Sequence, residues 1–372
     1  MNYRADRMNC IDASGIRKVF ALAAKLEDPI NLSIGQPDFD VDEAVKEEAI
    51  ARIREGRNSY TQTWGIEELR TECSAYYERR FGTLLENVMV TSGVSGGLFL
   101  ALLATLNPGD EVLFGDPYFV MYPHLTRLLG GVAVPIDTYP DFKLTAKAVE
   151  AAITDRSKIL IINSPSNPTG VTLDAAELNS LAAVAKKHNL LIITDEIYEQ
   201  FCYDGAPSSM AGRHANTIVL NGFSKIAAMT GWRVGYAAGP DEVIQDMNTL
   251  QQYTFVCAPS FAQYAAVTAL NLDLSPTLAA YHKKREMIYE GLKEHFTPTK
   301  PGGAFYIFPN APGGDGEAFV KEAIENNVLI IPGNVFSDKN THFRLSFAAD
   351  DAVLEQGIAA LNALAGKYAE AR

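Results

Sequence analysis

Thr217-Ile218-Val219-Leu220-Asn221-Gly222-Phe223-Ser224-Lys225, followed by Met229-Thr230-Gly231-Trp232-Arg233-Val234-Gly235-Tyr236, decides how the chain is read. An apolar, strand-like run ends in a Ser-Lys pair, and an arginine follows in a glycine-rich setting. A lysine at the mouth of a buried strand is costly to desolvate unless it has a use. One use is to lose its charge and bond covalently to an aldehyde, while a nearby serine and arginine hold an anion such as a phosphate ester. A Ser-Lys pair taken alone is a surface feature; the constellation points the other way.

Outward from this stretch, apolar runs alternate with helical patterns over about residues 88–240. Val88–Thr91, Glu111–Phe114, Val132–Ile136, Lys158–Asn163, Leu190–Thr194 and Thr217–Leu220 read as strands, and Gly93–Leu106 as a helix. Continuous apolar strands separated by helices imply an α/β fold with a mostly parallel sheet covered on both faces. Beyond about Pro276 the pattern changes to one long amphipathic helix, Thr277–Phe296. Two glycine-rich loops and short strands near Ala304–Phe308 and Phe343–Phe347 follow, which reads as a smaller α+β domain.

Several strand ends carry residues with chemical potential. Open α/β sheets bind ligands at the carboxyl ends of their strands, and Asp195 stands there, in Thr194-Asp195-Glu196-Ile197-Tyr198. Its plainer reading is a helix cap. Asn163-Ser164-Pro165-Ser166-Asn167-Pro168-Thr169-Gly170 has the composition of a turn. Thr91-Ser92-Gly93-Val94-Ser95-Gly96-Gly97 opens a helix after a strand, where free backbone N–H groups can cradle a phosphate. Its spacing matches neither the dinucleotide fingerprint nor the nucleoside-triphosphate loop. Asp116-Pro117-Tyr118-Phe119 follows the strand ending at Phe114, and either aromatic taken alone is a core residue. Arg344 sits in the alternating strand Phe343-Arg344-Leu345-Ser346-Phe347; if the phenylalanines face inward, the arginine faces the other way.

The segment Ser224–Tyr236 resembles the lysine signature of class I/II aminotransferases, pyridoxal 5'-phosphate enzymes of fold type I. Matching motifs run from Ile34-Gly35-Gln36-Pro37-Asp38-Phe39 to Phe343–Phe347, nearly the whole chain. The resemblance implies a large cofactor-binding domain over residues 45–275 and a discontinuous small domain over 1–44 and 276–372. It implies that Lys225 carries the cofactor as a Schiff base and moves the substrate's proton. Asp195 keeps the pyridine nitrogen protonated, and Tyr198 and Asn167 donate to the ring's phenolate oxygen. Phe119 stacks on the ring, with Tyr118 as the adjacent alternative. Gly93, Val94, Ser95, Ser224 and Arg233 hold the phosphate. Arg344 clamps the substrate α-carboxylate with help from Gly35 and Asn167. Tyr60 reaches the phosphate of a neighbouring subunit, which implies a homodimer with shared sites. The expected reaction is transamination between an L-amino acid and a 2-oxo acid. β-Elimination by a C–S lyase on the same fold is the alternative, because the cofactor motifs serve both. Arg17 and Lys18 lie in a stretch that borders the substrate in relatives, where they could meet an acidic side chain.

Bulk composition excludes other classes. The 372 residues are 47% hydrophobic and 21% charged, ordinary globular values with room for a large domain and a smaller one. A net charge of −13 disfavours a nucleic-acid partner. No stretch approaches the roughly 20 apolar residues of a membrane span, and the first residues have no signal-peptide core. Cys10, Cys73, Cys202 and Cys257 are widely spaced, and the six histidines show no metal-ligand spacing. A cytoplasmic enzyme without a metal is expected. A ligand-sensing domain fused to a DNA-binding module is disfavoured by the lack of a basic segment and of room before Gly35.

Overall fold

The computed structural model describes residues 3–12, 15 and 26–370. Its strands, in chain order, are β1 (Ile30–Asn31), β2 (Met89–Thr91), β3 (Glu111–Asp116), β4 (Val132–Asp137), β5 (Ser157–Asn163), β6 (Leu191–Asp195), β7 (Thr217–Gly222), β8 (Gly235–Ala238), β9 (Tyr306–Ile307), β10 (Val328–Leu329), β11 (Ile331–Pro332) and β12 (Phe343–Ser346). Seven of them form one sheet in the order β2-β8-β7-β6-β5-β3-β4. All neighbours run parallel except at β8, which is antiparallel to both β2 and β7.

The apolar runs divide between the two faces as the two-residue strand period requires. Val112, Phe114, Ile159, Ile161 and Ile193 pack with Leu98 and Leu102 of the Gly93–Thr105 helix and with Met247 of the Asp241–Gln252 helix. The intervening Leu113, Leu160, Ile162 and Ile192 pack with Leu178 and Leu181 of the Ala175–Lys187 helix. Each such fully buried side chain contributes about 1.5–3 kcal/mol relative to exposure. A sheet apolar on both faces is stable only when covered on both, as the sequence pattern predicts.

Two helix starts differ in a way that matters for the site. The Ala175–Lys187 helix begins with a reciprocal capping box: Asp174 Oδ1 accepts from Glu177 N at 2.8 Å, and Asp174 N donates to Glu177 Oε2 at 2.8 Å. The Gly93–Thr105 helix begins at Ser92 with no side-chain cap. Its first N–H groups are left without that internal acceptor.

A second set of elements packs over the carboxyl ends of the sheet. β1 pairs in parallel with β10, and β11-β12-β9 form an antiparallel sheet. The long Ser275–Phe296 helix and the Asp351–Glu370 helix lie beside them. Their core, including Ile288, Leu292, Phe296, Phe319, Phe343 and Leu361, also takes in Tyr198 and Phe201 from the region after β6. Among the described residues no helix is long and apolar enough to cross a membrane.

Candidate active site

A cleft of about 520 Å³ opens where the carboxyl ends of the parallel strands face the second set of elements. The topology explains its contents. β5 ends at Asn163 and β6 at Asp195, which are paired in register. β7 runs on into Ser224 and Lys225. Because β8 is reversed, its amino end lies at the same edge of the sheet, and Arg233 just precedes it. The neighbouring strand β2 ends there too and delivers Gly93 and the uncapped helix start. Of the residues singled out from the sequence, Gly35, Val94, Ser95, Phe119, Asn167, Asp195, Tyr198, Ser224, Lys225, Arg233 and Arg344 all line this one cleft.

Lys225 Nζ donates to the Gly35 carbonyl at 2.6 Å and lies 5.7 Å from the centre of the Tyr198 ring. Burial pulls its pKa down to about 8; Arg344 and Arg233 push the same way, and Asp195 opposes them. A share of neutral amine near neutral pH is what imine chemistry requires. Asp195 is buried, and burial raises its carboxyl to about 6 against the pull of Tyr122, the Ile197 N–H and Lys225. Its Oδ2 accepts from Tyr122 Oη at 3.0 Å and its Oδ1 from Ile197 N at 3.3 Å. A carboxylate held this high is costly to ionise alone. A protonated ring nitrogen beside it would favour the charged form.

The other end of the cleft suits an anion. Arg233 adopts a left-handed backbone conformation with φ 57°. It donates through Nη1 to Thr230 O at 3.0 Å and through Nη2 to Ser92 O at 3.5 Å, both neutral acceptors. A Cβ placed on Gly93, which has φ +68°, would stand 2.8 Å from Arg233 Nη2. Glycine therefore lets the guanidinium sit against the helix start. Helix amides, the Ser224 hydroxyl and Arg233 form a cradle that fits a phosphate ester.

Arg344 is 1% exposed, so it is buried, although it lies on the strand face expected to be solvated for an unpaired arginine. Its Nη1 donates to Asn167 Oδ1 at 3.1 Å and its Nη2 to Ser33 O at 2.8 Å, while Nε has no partner. The guanidinium lies over the rings of Tyr306 at 4.6 Å and Phe336 at 4.8 Å. Burial lowers its pKa. No carboxylate pairs with it among the described residues. Asn167 uses its Oδ1 on Arg344 and its backbone N–H on Asn163 Oδ1 at 2.9 Å, which leaves Nδ2 as its remaining donor. Phe119 lines both the cleft and a small adjoining cavity, whereas Tyr118 lines the small cavity alone and packs edge-on against Phe114.

Tyr60 stands apart from the cleft. It is 84% exposed and borders a different depression, with Gln62 and Tyr264. Arg17 and Lys18 lie outside the described residues. The sequence reading missed three residues. Tyr122 holds Asp195, Asn163 braces Asn167 and donates to the Asp195 carbonyl at 2.9 Å, and Tyr306 bridges Arg344 and Tyr198. Asn163 could have been found from its place at the end of the strand beside Asp195, and Tyr122 from its position one helical turn after Phe119. Tyr306, in a short strand, gave no such signal.

The described residues contain no cluster of three or more side chains that could hold a metal ion. Three cations and one carboxylate line the cleft of a strongly acidic protein, which fits a ligand with a phosphate and a substrate with a carboxylate. Comparison with known proteins agrees. The family model for aminotransferase class I and II matches residues 27–361. The chain is 38% identical to a protein named "probable aspartate aminotransferase" in Methanocaldococcus jannaschii, covering 95% of this chain and 97% of that one. It is 38% identical to the aspartate/prephenate aminotransferase of Cereibacter sphaeroides, covering 93% of each. A double mutant of the aspartate aminotransferase of Thermus thermophilus superposes with a TM-score of 0.93 at 35% identity, over 98% of this chain and all of that one. These relatives are aminotransferases, which bears out transamination, and nothing among them favours the lyase branch. The chain belongs to the class I and II aminotransferases, pyridoxal phosphate-dependent enzymes of fold type I that move an amino group between an amino acid and a 2-oxo acid.

Proposed function

We propose that the cleft performs transamination with Lys225 as both tether and proton carrier. The observation that carries this reading is the convergence of a largely buried lysine with two arginines, Arg233 and Arg344, whose partners are all neutral. When bound, pyridoxal phosphate supplies an aldehyde for the lysine and a ring that takes up the electron pair left at the substrate Cα.

The chain's own residues do the rest. Arg344 binds the α-carboxylate through its two terminal nitrogens, with Asn167 fixing its plane. Gly35, whose carbonyl holds Lys225 Nζ, sets the distance between amine and carboxylate. Lys225 Nζ would move the substrate's proton, taking it from Cα and later returning one. Asp195, aimed by Tyr122, would keep a proton on the ring nitrogen. Tyr198 and Asn167 would donate to the ring oxygen, and Phe119 would cover the ring. Gly93, Val94, Ser95, Ser224 and Arg233 would hold the phosphate.

Two further assignments belong to the same proposal. Residues 45–275 supply most of the cofactor site, whereas 1–44 and 276–372 supply Gly35 and Arg344; the cleft is the seam between these two parts. The exposed Tyr60 completes the phosphate site of a second copy in a cytoplasmic homodimer. Its exposure, and that of Tyr253 at 84%, supports burial against a partner. The aspartate-directed names of the relatives support an acidic amino acid as one substrate.

Borohydride treatment of the holoenzyme followed by peptide mapping tests the tether. The label is expected on Lys225 alone, and Lys225→Ala should abolish transamination. A label on another lysine would end the proposal.

A further inference from the structure

Tyr306 touches both halves of the site. It is 1% exposed, and its Oη lies 2.9 Å from Tyr198 Oη. One face of its ring carries the Arg344 guanidinium at 4.6 Å. A Cβ on Gly35 would stand 2.8 Å from the Tyr306 hydroxyl oxygen, so glycine at that position leaves room for it. The ring is clamped from several sides, by Phe305 and Tyr198 as well as by Arg344.

Two facing hydroxyls share a single hydrogen between them. If the Tyr198 hydroxyl donates its hydrogen bond to the cofactor's ring oxygen, the hydrogen between the two phenols comes from Tyr306. We propose that Tyr306 is a positioning residue: it donates to Tyr198, aiming and strengthening the proton that Tyr198 presents to the cofactor, while its ring holds the carboxylate clamp in place. The inference rests on the role given to Tyr198 above. Donors in series polarise one another in a low-dielectric site. The charged groups acting on this pair are Arg344 on both phenols and Asp195 on Tyr198, with Lys225 over the Tyr198 ring. Burial raises both phenol pKa values, so both remain protonated donors through the neutral range. No carboxylate accepts from either hydroxyl among the described residues. One residue thus connects the group that recognises the substrate to the group that tunes the cofactor.

The test is a pH titration of the holoenzyme's visible absorption, which reports protonation of the cofactor–lysine linkage without turnover. Donation to the ring oxygen favours the deprotonated linkage. Tyr306→Phe keeps the ring and removes the donor, so the midpoint should rise by about half a pH unit. 3-Fluorotyrosine at position 306, a stronger donor of nearly the same shape, should lower it. Tyr198→Phe should raise it further, and in that background Tyr306→Phe should add nothing. An unchanged midpoint in Tyr306→Phe, or an equal shift with and without the Tyr198 hydroxyl, overturns the inference. If Tyr198→Phe itself leaves the midpoint unmoved, the role of Tyr198 falls, and this inference with it.

Discussion

Arg344→Lys tests how the α-carboxylate is read. Arg344 is a buried cation whose hydrogen bonds go to an amide and a backbone carbonyl, with its guanidinium over two aromatic rings. A substrate carboxylate would supply its missing countercharge. Lysine keeps the charge but loses the fork, and with it one charge-assisted hydrogen bond worth about 1.5–3 kcal/mol. It also loses part of the ring stacking, about 0.5–1 kcal/mol. The sum is a loss of about 2–4 kcal/mol in kcat/KM, a factor of about 30 to 1,000. Single-turnover half-reactions, followed by the cofactor's absorption across acidic, aromatic and small amino acids and their 2-oxo acids, measure it. All should suffer alike, because all share the α-carboxylate, while simple amines without one should be spared. If acidic substrates alone slowed, Arg344 would be a side-chain selector and the reasoning would be wrong. Arg344→Met carries the argument to stability: removing a buried charge that lacks a countercharge should leave the apoprotein's Tm unchanged or higher while activity collapses.

Asp195→Asn should lower kcat by about 10²-fold or more with a smaller loss of cofactor affinity, because it removes ring electronics rather than shape; an unchanged kcat would make Asp195 structural. Tyr60→Phe should weaken cofactor binding about 10-fold, read by fluorescence titration of the apoenzyme, through loss of one hydrogen bond to phosphate. Equal affinity would remove Tyr60 from the site. Burial holds the Glu199 carboxyl at about 7 against an ordinary 4.5, with Arg80 and Tyr76 pulling it back. Between those values the folded protein keeps a proton that the unfolded chain has lost, so stability falls as pH rises through that window. Glu199→Gln should flatten the fall in Tm between about pH 5 and about pH 8; parallel profiles would refute it.

Much of this architecture was legible because its parallel strands are long apolar runs. The expected strand Lys158–Asn163 is Ser157–Asn163, and the expected helix Thr277–Phe296 is Ser275–Phe296. β8 was not anticipated: Gly235-Tyr236-Ala237-Ala238 is short and carries two alanines and a glycine, and its identity as a strand comes from its neighbours. The same distinction holds at the site. Lys225, Asp195 and Asn167 sit in distinctive local sequence. Tyr306 and Tyr122 act through contacts with residues distant in the chain, which local pattern cannot report. Arg344 was placed on the correct face, but its burial depends on Tyr306 and Phe336 closing over it.

The reversed strand also dictates when the protein can assemble as it is made. β3, β4, β5, β6 and β7 can pair as they emerge, because each finds a partner in the neighbouring stretch of chain. β2 pairs with β8 alone. Met89, Val90 and the helix start at Gly93 must wait for residue 235 to leave the ribosome, an interval on the order of 10 s at ordinary synthesis rates. The proposed phosphate cradle is the last part of the main sheet to close, and Arg344 arrives later still. A nascent chain therefore exposes an apolar, unpaired edge before its cleft has formed. Chaperone dependence in this protein should centre on that waiting edge.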